Sequence, residues 1–264
     1  MILDKLAASA RVRVDRLKGE RPLESVREEA LSIKPEKPFC FEAALKKEDI
    51  AFICEVKKAS PSKGLIAPDF PYVHIARDYE AAGADAISVL TEPQYFLGRD
   101  DYLSAVKRAV SIPVIRKDFT IDPYQIYEAR IIGADAVLLI CALLDTKALT
   151  EYIRIADSLG LSALVEAHDA AEVCSALEAG ARVIGVNHRN CGLETFEVDI
   201  ENSARLRQLV PEHIIFVSES GIKTPGDIDA LRKNGTDAVL IGETLMRSSR
   251  KAEELARLRG ERLA

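Results

Sequence analysis

The chain has 264 residues, 48% of them hydrophobic and 30% charged, enough to bury the core of one barrel-sized domain or two small ones. No run approaches the roughly 18 apolar residues of a membrane span, and the charged N-terminus lacks the apolar core of a signal peptide. Net charge is −6 with no long basic block, which argues against nucleic acid as a partner. The five cysteines (Cys40, Cys54, Cys141, Cys174, Cys191) are scattered and form no CxxC, a pattern that suits a reduced cytoplasm better than a disulfide framework or a zinc site.

Residues 1 to about 32 are expected to be helical. Ile2, Leu3, Leu6, Ala10, Val14 and Leu17 recur at helical spacing, and Pro22 stands where a second helix can begin. Lys34 to Phe41, with Pro35 and Pro38, reads as a connector. From residue 51 the rhythm changes. Apolar runs occur at Ala51–Val56, Ala86–Leu90, Pro113–Ile115, Ala136–Cys141, Ser162–Val165, Val183–Val186, Ile214–Val217 and Ala238–Ile241. An amphipathic, helix-length segment follows each, the last one split by Arg247–Arg250. Strand–helix alternation of this number and length predicts an α/β chain forming one (β/α)8 TIM barrel, with residues 1–48 as an N-terminal helical extension and 49–264 as the barrel. An open doubly wound sheet is the competing architecture, but no GxGxxG follows the first strand. An internal repeat favours closure. Gly83-Ala84-Asp85, Gly133-Ala134-Asp135, Gly180-Ala181-Arg182 and Gly235-Thr236-Asp237 precede the second, fourth, sixth and eighth strands, with glycine just past a helix end.

The first strand carries the clearest departure from a plain core. Ile53, Glu55 and Lys57 share one face, and Phe52, Cys54 and Val56 the other, so charges point inward where apolar residues belong. An unpaired buried charge costs several kcal/mol, which places Glu55 and Lys57 at a site; the plain alternative is a solvated edge strand. In a barrel of this type the reacting groups stand at the C-terminal strand ends. Those ends supply Lys117 and Phe119, then Glu166, then Asn187 and Arg189, then Ser218 and Ser220. Ser220-Gly221 after the seventh strand and Gly242-Glu243 after the eighth fit the recurrent phosphate cradle of the fold, formed by Gly221, Gly242 and Glu243.

These residues carry a close family resemblance. The run Glu55-Val56-Lys57-Lys58-Ala59-Ser60-Pro61-Ser62-Lys63-Gly64 resembles the first-strand signature of indole-3-glycerol phosphate synthases. Ala84 to Glu92, Arg116-Lys117-Asp118-Phe119 continuing through Ile121 to Ile126, Leu164-Val165-Glu166, Glu219-Ser220-Gly221-Ile222 and Leu240-Ile241-Gly242-Glu243 resemble the same family. The resemblance implies closure of the indole ring of a carboxyphenylamino-deoxyribulose 5-phosphate with release of CO2 and water. It implies Lys117 as general acid, Glu166 as base, and Lys57 holding substrate oxygens with Glu55 orienting Lys57 or Arg189. Asn187, Arg189, Ser60 and Ser220 would position the carboxylate and sugar hydroxyls, Phe119 would form an aromatic wall, and Leu240 would also touch substrate. Every step is proton transfer or charge stabilisation, so neither metal nor organic cofactor is expected. The expected partner is a phosphorylated small molecule, with no nucleic acid or membrane, and the chain is expected to act as a cytoplasmic monomer.

One segment departs from the family pattern. Asn187-His188-Arg189-Asn190-Cys191-Gly192-Leu193 has His188 where the family usually has a second asparagine, and a longer loop follows. Parity turns His188 toward the helices, away from chemistry. Two other readings compete. An isomerase-type phosphosugar barrel would share the cradle without needing Lys57, Lys117 and Glu166 together. A non-catalytic metabolite-binding barrel would have lost the acid or the base, and both positions are filled.

Overall fold

The computed structural model describes residues 2–187 and 201–261, the side chains of 201 and 202 excepted. Eight parallel strands close on themselves in sequence order: β1 (Ala51–Val56), β2 (Ala86–Leu90), β3 (Val114–Lys117), β4 (Ala136–Ile140), β5 (Ser162–Ala167), β6 (Val183–Asn187), β7 (Ile215–Glu219) and β8 (Ala238–Ile241). The closing register pairs Ala51 with Ala238 on one side of β1 and Ile53 with Ala86 on the other. With no edge left, Glu55 cannot be a solvated edge residue; it is 4% exposed. No helix among the described residues is long and apolar enough to cross a membrane.

Strand alternation sorts the core into two. Phe52, Cys54, Val137, Val165 and Phe216 face the surrounding helices, while Ile53, Ile115, Leu138, Leu164, Val217 and Leu240 fill the barrel. Helix α3 (Cys40–Leu45), preceded by α1 (Ile2–Glu20) and α2 (Leu23–Ser32), closes the floor by pushing Phe41 and Leu45 into that inner cluster. Four strands run further toward the mouth than their apolar runs suggest, through Lys117, Ala167, Asn187 and Glu219. The ladder continues there, with Leu90 opposite Lys117, Ile140 opposite Glu166 and Asn187 opposite Glu219. Backbone pairing does not depend on an apolar side chain, so hydropathy stops short where the polar ends begin.

The repeated turn has a structural cause. Its glycines sit at φ between 79° and 93°, a backbone position that only glycine adopts readily. Asp85, Asp135 and Asp237 then accept amides at the start of the preceding odd strands, from Phe52, Val114 and Phe216, at 2.7–2.8 Å. In the third copy Arg182 instead binds Glu42 of α3 and Asp157, tying the floor helix to the barrel.

Candidate active site

The mouth of the barrel is a cavity of about 720 Å³. Its floor is made by the inward residues of the strand ends, because the same parity that puts Ile53, Ile115 and Leu164 in the core carries Glu55, Lys117 and Glu166 to its upper edge. Ile2, Leu3 and Leu6 of α1 form part of the wall. The extension is pinned there by Arg13, whose guanidinium lies 2.7 Å from Asp118, and by Lys18, 2.6 Å from Asp122. Asp118 directly follows Lys117 and also accepts the Thr91 hydroxyl at 2.7 Å, so α1 bears on the loop that carries the third strand's functional residues.

Lys117 is the hub. Its Nζ donates to Glu166 Oε2 at 3.0 Å and to Glu219 Oε2 at 2.7 Å. Burial pulls its pKa down, but Glu166, Glu219 and Glu55 outweigh that pull and hold it above the ordinary lysine range. Lys117 therefore stands protonated in the cavity. Glu166 is pushed up by burial and pulled further down chiefly by Lys117, so it rests ionised, below the usual carboxylate range. Its Oε1 accepts from Asn187 Nδ2 at 3.2 Å. Glu219 goes the other way: burial, with Glu166 and Glu55 nearby, lifts it to about 7 despite Lys117. Two carboxylates sharing one ammonium are thus separated into an ionised partner and one that exchanges a proton near neutrality. At the wall, Lys57 donates to Glu55 Oε1, two residues back on its own strand.

The phosphate-cradle residues gather at the β7 and β8 ends. Ser220 and Gly221 both take left-handed backbone, at φ 72° and 75°. For Ser220 that conformation costs about 1–3 kcal/mol, a strain that tends to be kept at functional sites. Gly242 lies against the β1 charges: a Cβ there would collide with Glu55 Oε1 and come within 3.0 Å of Lys57 Nζ. Thr244 fastens the two loops by donating to the Ile222 carbonyl at 2.6 Å. The Glu243 carboxylate is held by Arg247 at 3.0 Å and Lys63 at 3.7 Å, so any part it takes in holding an anion falls to its backbone N–H.

The structure brings Glu55, Lys57, Lys117, Phe119, Glu166, Asn187, Ser220, Gly221, Leu240, Gly242 and Glu243 onto one cavity. One expectation from the sequence is corrected. Ser218 faces the helices, 2.8 Å from Ser203 Oγ and 3.3 Å from Thr236 Oγ1, because Ile215 and Val217 fix the inward parity of β7. Ser60 is 3% exposed and directly precedes Pro61, Ser62 and Lys63, which stand on the cavity wall. His188 and Arg189 lie outside the described residues. Sequence reasoning missed Glu219, although the alternation Ile215, Val217, Glu219 marks it as the inward end of β7. It also missed Gly185, where a Cβ would collide with Glu219 Oε1.

Solved structures under 25% identity reproduce the fold. A 3-hexulose-6-phosphate synthase from Salmonella typhimurium superposes with a TM-score of 0.65 at 16% identity, covering 79% of this chain and 96% of that one. Similarity at the level of sequence is far closer. An indole-3-glycerol phosphate synthase of Ruminiclostridium cellulolyticum is 67% identical over 98% of this chain and 99% of its own length. One from Endomicrobium trichonymphae is 57% identical over 98% of this chain and 100% of its own length. The family model described as indole-3-glycerol phosphate synthase matches residues 3–258, and the chain belongs to that family.

Proposed function

We propose that the chain closes the indole ring of 1-(2-carboxyphenylamino)-1-deoxy-D-ribulose 5-phosphate, releasing CO2 and water, with Lys117 as proton donor and Glu166 as proton acceptor. The observation that carries this assignment is the Lys117 ammonium, buried and protonated at the cavity floor between Glu166 and Glu219. The aromatic carbon bearing the carboxylate is a weak nucleophile, so the C2 carbonyl of the substrate must be activated. Lys117 gives its proton to that oxygen as the carbon–carbon bond forms, and CO2 departs leaving its electron pair to the ring. The hydroxyl then leaves as water, again with a proton from Lys117. Glu219, which exchanges a proton near neutrality 2.7 Å away, is placed to reprotonate it between the two steps. Glu166 removes the proton from the neighbouring carbon, completing the double bond.

Lys57, steadied by Glu55 and set beside Gly242, holds oxygens at the phosphate end of the substrate. Ser220, Gly221, Gly242 and the Glu243 backbone hold the phosphate, Phe119 and Leu240 contact the aromatic half, and Asn187 and Arg189 position the carboxylate and hydroxyls. Residues 1–48 belong to the same functional unit, as the α1 side chains on the cavity wall support. The chain is read as a monomer, and the scattered cysteines support the cytoplasm. The test is indole fluorescence on adding the carboxyphenylamino substrate to purified protein. The chain has no Trp, so its own background is low. Absence of an indole signal from folded protein would overturn the assignment.

A further inference from the structure

The base of the proposed reaction has a second titratable group behind it. His168 stands two residues beyond Glu166, on the same side of the strand line, and faces the same cavity. Its Nε2 lies 3.4 Å from Glu166 Oε1. Its Nδ1 lies 2.9 Å from Glu172 Oε2, and its backbone N–H donates to that same oxygen at 2.7 Å. Glu172 is fixed in turn. It sits in the first turn of the helix Ala170–Glu178, and its own amide is accepted by the capping Asp169 at 2.9 Å. A carboxylate at Nδ1 selects the tautomer protonated there and turns the Nε2 lone pair toward Glu166.

We propose that His168 and Glu172 form a proton relay behind Glu166. Glu166 takes the proton from the substrate carbon during dehydration and passes it from Oε1 to His168 Nε2. The imidazolium, paired with the Glu172 carboxylate, releases it to water. One proton moves, Glu166 returns to its carboxylate, and neither an electron nor a further reactant is needed. The inference rests on the reading of Glu166 as base. Lys117 keeps Glu166 ionised against its burial, so a proton gained there is readily given up. Imidazole, which titrates near neutrality in its ordinary state, is suited to receive it. The His168 side chain is 15% exposed, which leaves a route outward. Among the described residues, the titratable and charged groups that face it are Glu166 on its own strand, Glu172 and Asp169 on the next helix and its cap, and Cys141 after β4, with Lys117 facing Glu166 from β3.

The experiment compares His168→Gln, Glu172→Gln and Glu166→Gln in steady-state kinetics from about pH 5 to about pH 9. Glutamine can fill the place of the ring beside Glu166 but cannot carry the proton. His168→Gln is therefore expected to lose at least about 10-fold in kcat, less than the ~10²–10⁴-fold expected for Glu166→Gln, with KM nearly unchanged. Wild-type kcat falls on the acid side as the imidazole is protonated, and His168→Gln loses that limb. Glu172→Gln keeps the ring in place but removes the charge behind the imidazolium, moving the limb to lower pH. Added imidazole should restore part of the turnover of His168→Ala, which a purely structural role would not allow. A His168→Gln enzyme within a few-fold of wild type, with its acid limb intact, overturns the relay. So does an unmoved limb in Glu172→Gln, which decides the matter if the His168 variants do not fold. If Glu166→Gln is also near wild type, the base assignment has failed; if Glu166→Gln alone is inactive, only the relay has.

Discussion

Lys117→Met removes the proton donor while keeping most of the stem volume, and the structure sets what else it removes. General acid catalysis is typically worth ~10²–10⁴-fold, about 3–5.5 kcal/mol of barrier, and the loss should fall on kcat because the donated proton matters most in the transition state. The same substitution strips the shared cation from Glu166 and Glu219, which are 4% and 1% exposed. Leaving one partner of a buried pair charged costs about 3–5 kcal/mol, so these carboxyls protonate instead. Their folded-state pKa values then rise above the unfolded value. A raised carboxyl contributes stability that is present below the unfolded pKa and lost as pH climbs through the folded one. The variant should therefore be most stable in mild acid and lose Tm toward and beyond pH ~7, where wild-type Glu219 itself titrates. Kinetics run on the acid side, with Tm followed across pH, separate lost chemistry from lost folding. A folded Lys117→Met enzyme turning over within a few-fold of wild type would refute the assignment. Lys57→Met is the contrast: it should raise KM as well as lower kcat.

Removing residues 1–32 takes Ile2, Leu3 and Leu6 from the cavity wall and Arg13 from Asp118, so KM should rise more than Tm falls; an unchanged KM in a folded truncation refutes this. Gly242→Val places a side chain against Glu55 and Lys57 at the phosphate end, and KM should rise, with phosphate or sulfate losing potency as competitive inhibitors. Gly185→Ala pushes Glu219 off its place beside Lys117. Because that contact is with the end of a side chain, Tm should change little while kcat drops, and an unaltered kcat would remove Glu219 from the proton path.

Much of this was legible in the chain because two periodicities carry it. Alternation in β1 separates Phe52, Cys54 and Val56 from Ile53, Glu55 and Lys57, and the structure keeps that division. The alternating rule also identifies Lys117, Glu166 and Asn187 as inward-facing, and they meet at one cavity. Where the reading slipped, it followed residue type ahead of parity: Ser218 was counted among the polar strand ends and Glu219 was passed over, though two buried aliphatic residues on β7 already fix which of them faces in. Ser60 lies in a short hairpin, Ala59–Ser60 against Gly64–Leu65, whose orientation is set by tertiary contacts that no local period encodes. Gly185 was illegible in principle, since its meaning is the space left for a side chain on the next strand.

The division of labour between the two lysines follows from how each is held. Lys57 has its partner on its own strand, two residues back, and stands against Gly242 at the entrance of the β8 loop. It is a charge at the wall, within reach of the loops that hold phosphate, and its pairing survives changes elsewhere in the barrel. Lys117 is held by carboxylates from two other strands, β5 and β7, which stretch it across the barrel interior. A cation held across the barrel by two acids, one ionised and one titrating near neutrality, can give up its proton and regain it without moving. A cation paired once at the wall can hold an anion but has no such source beside it. That difference in partners, rather than any difference between the side chains, is the ground on which we assign Lys117 as the acid and Lys57 as the anchor.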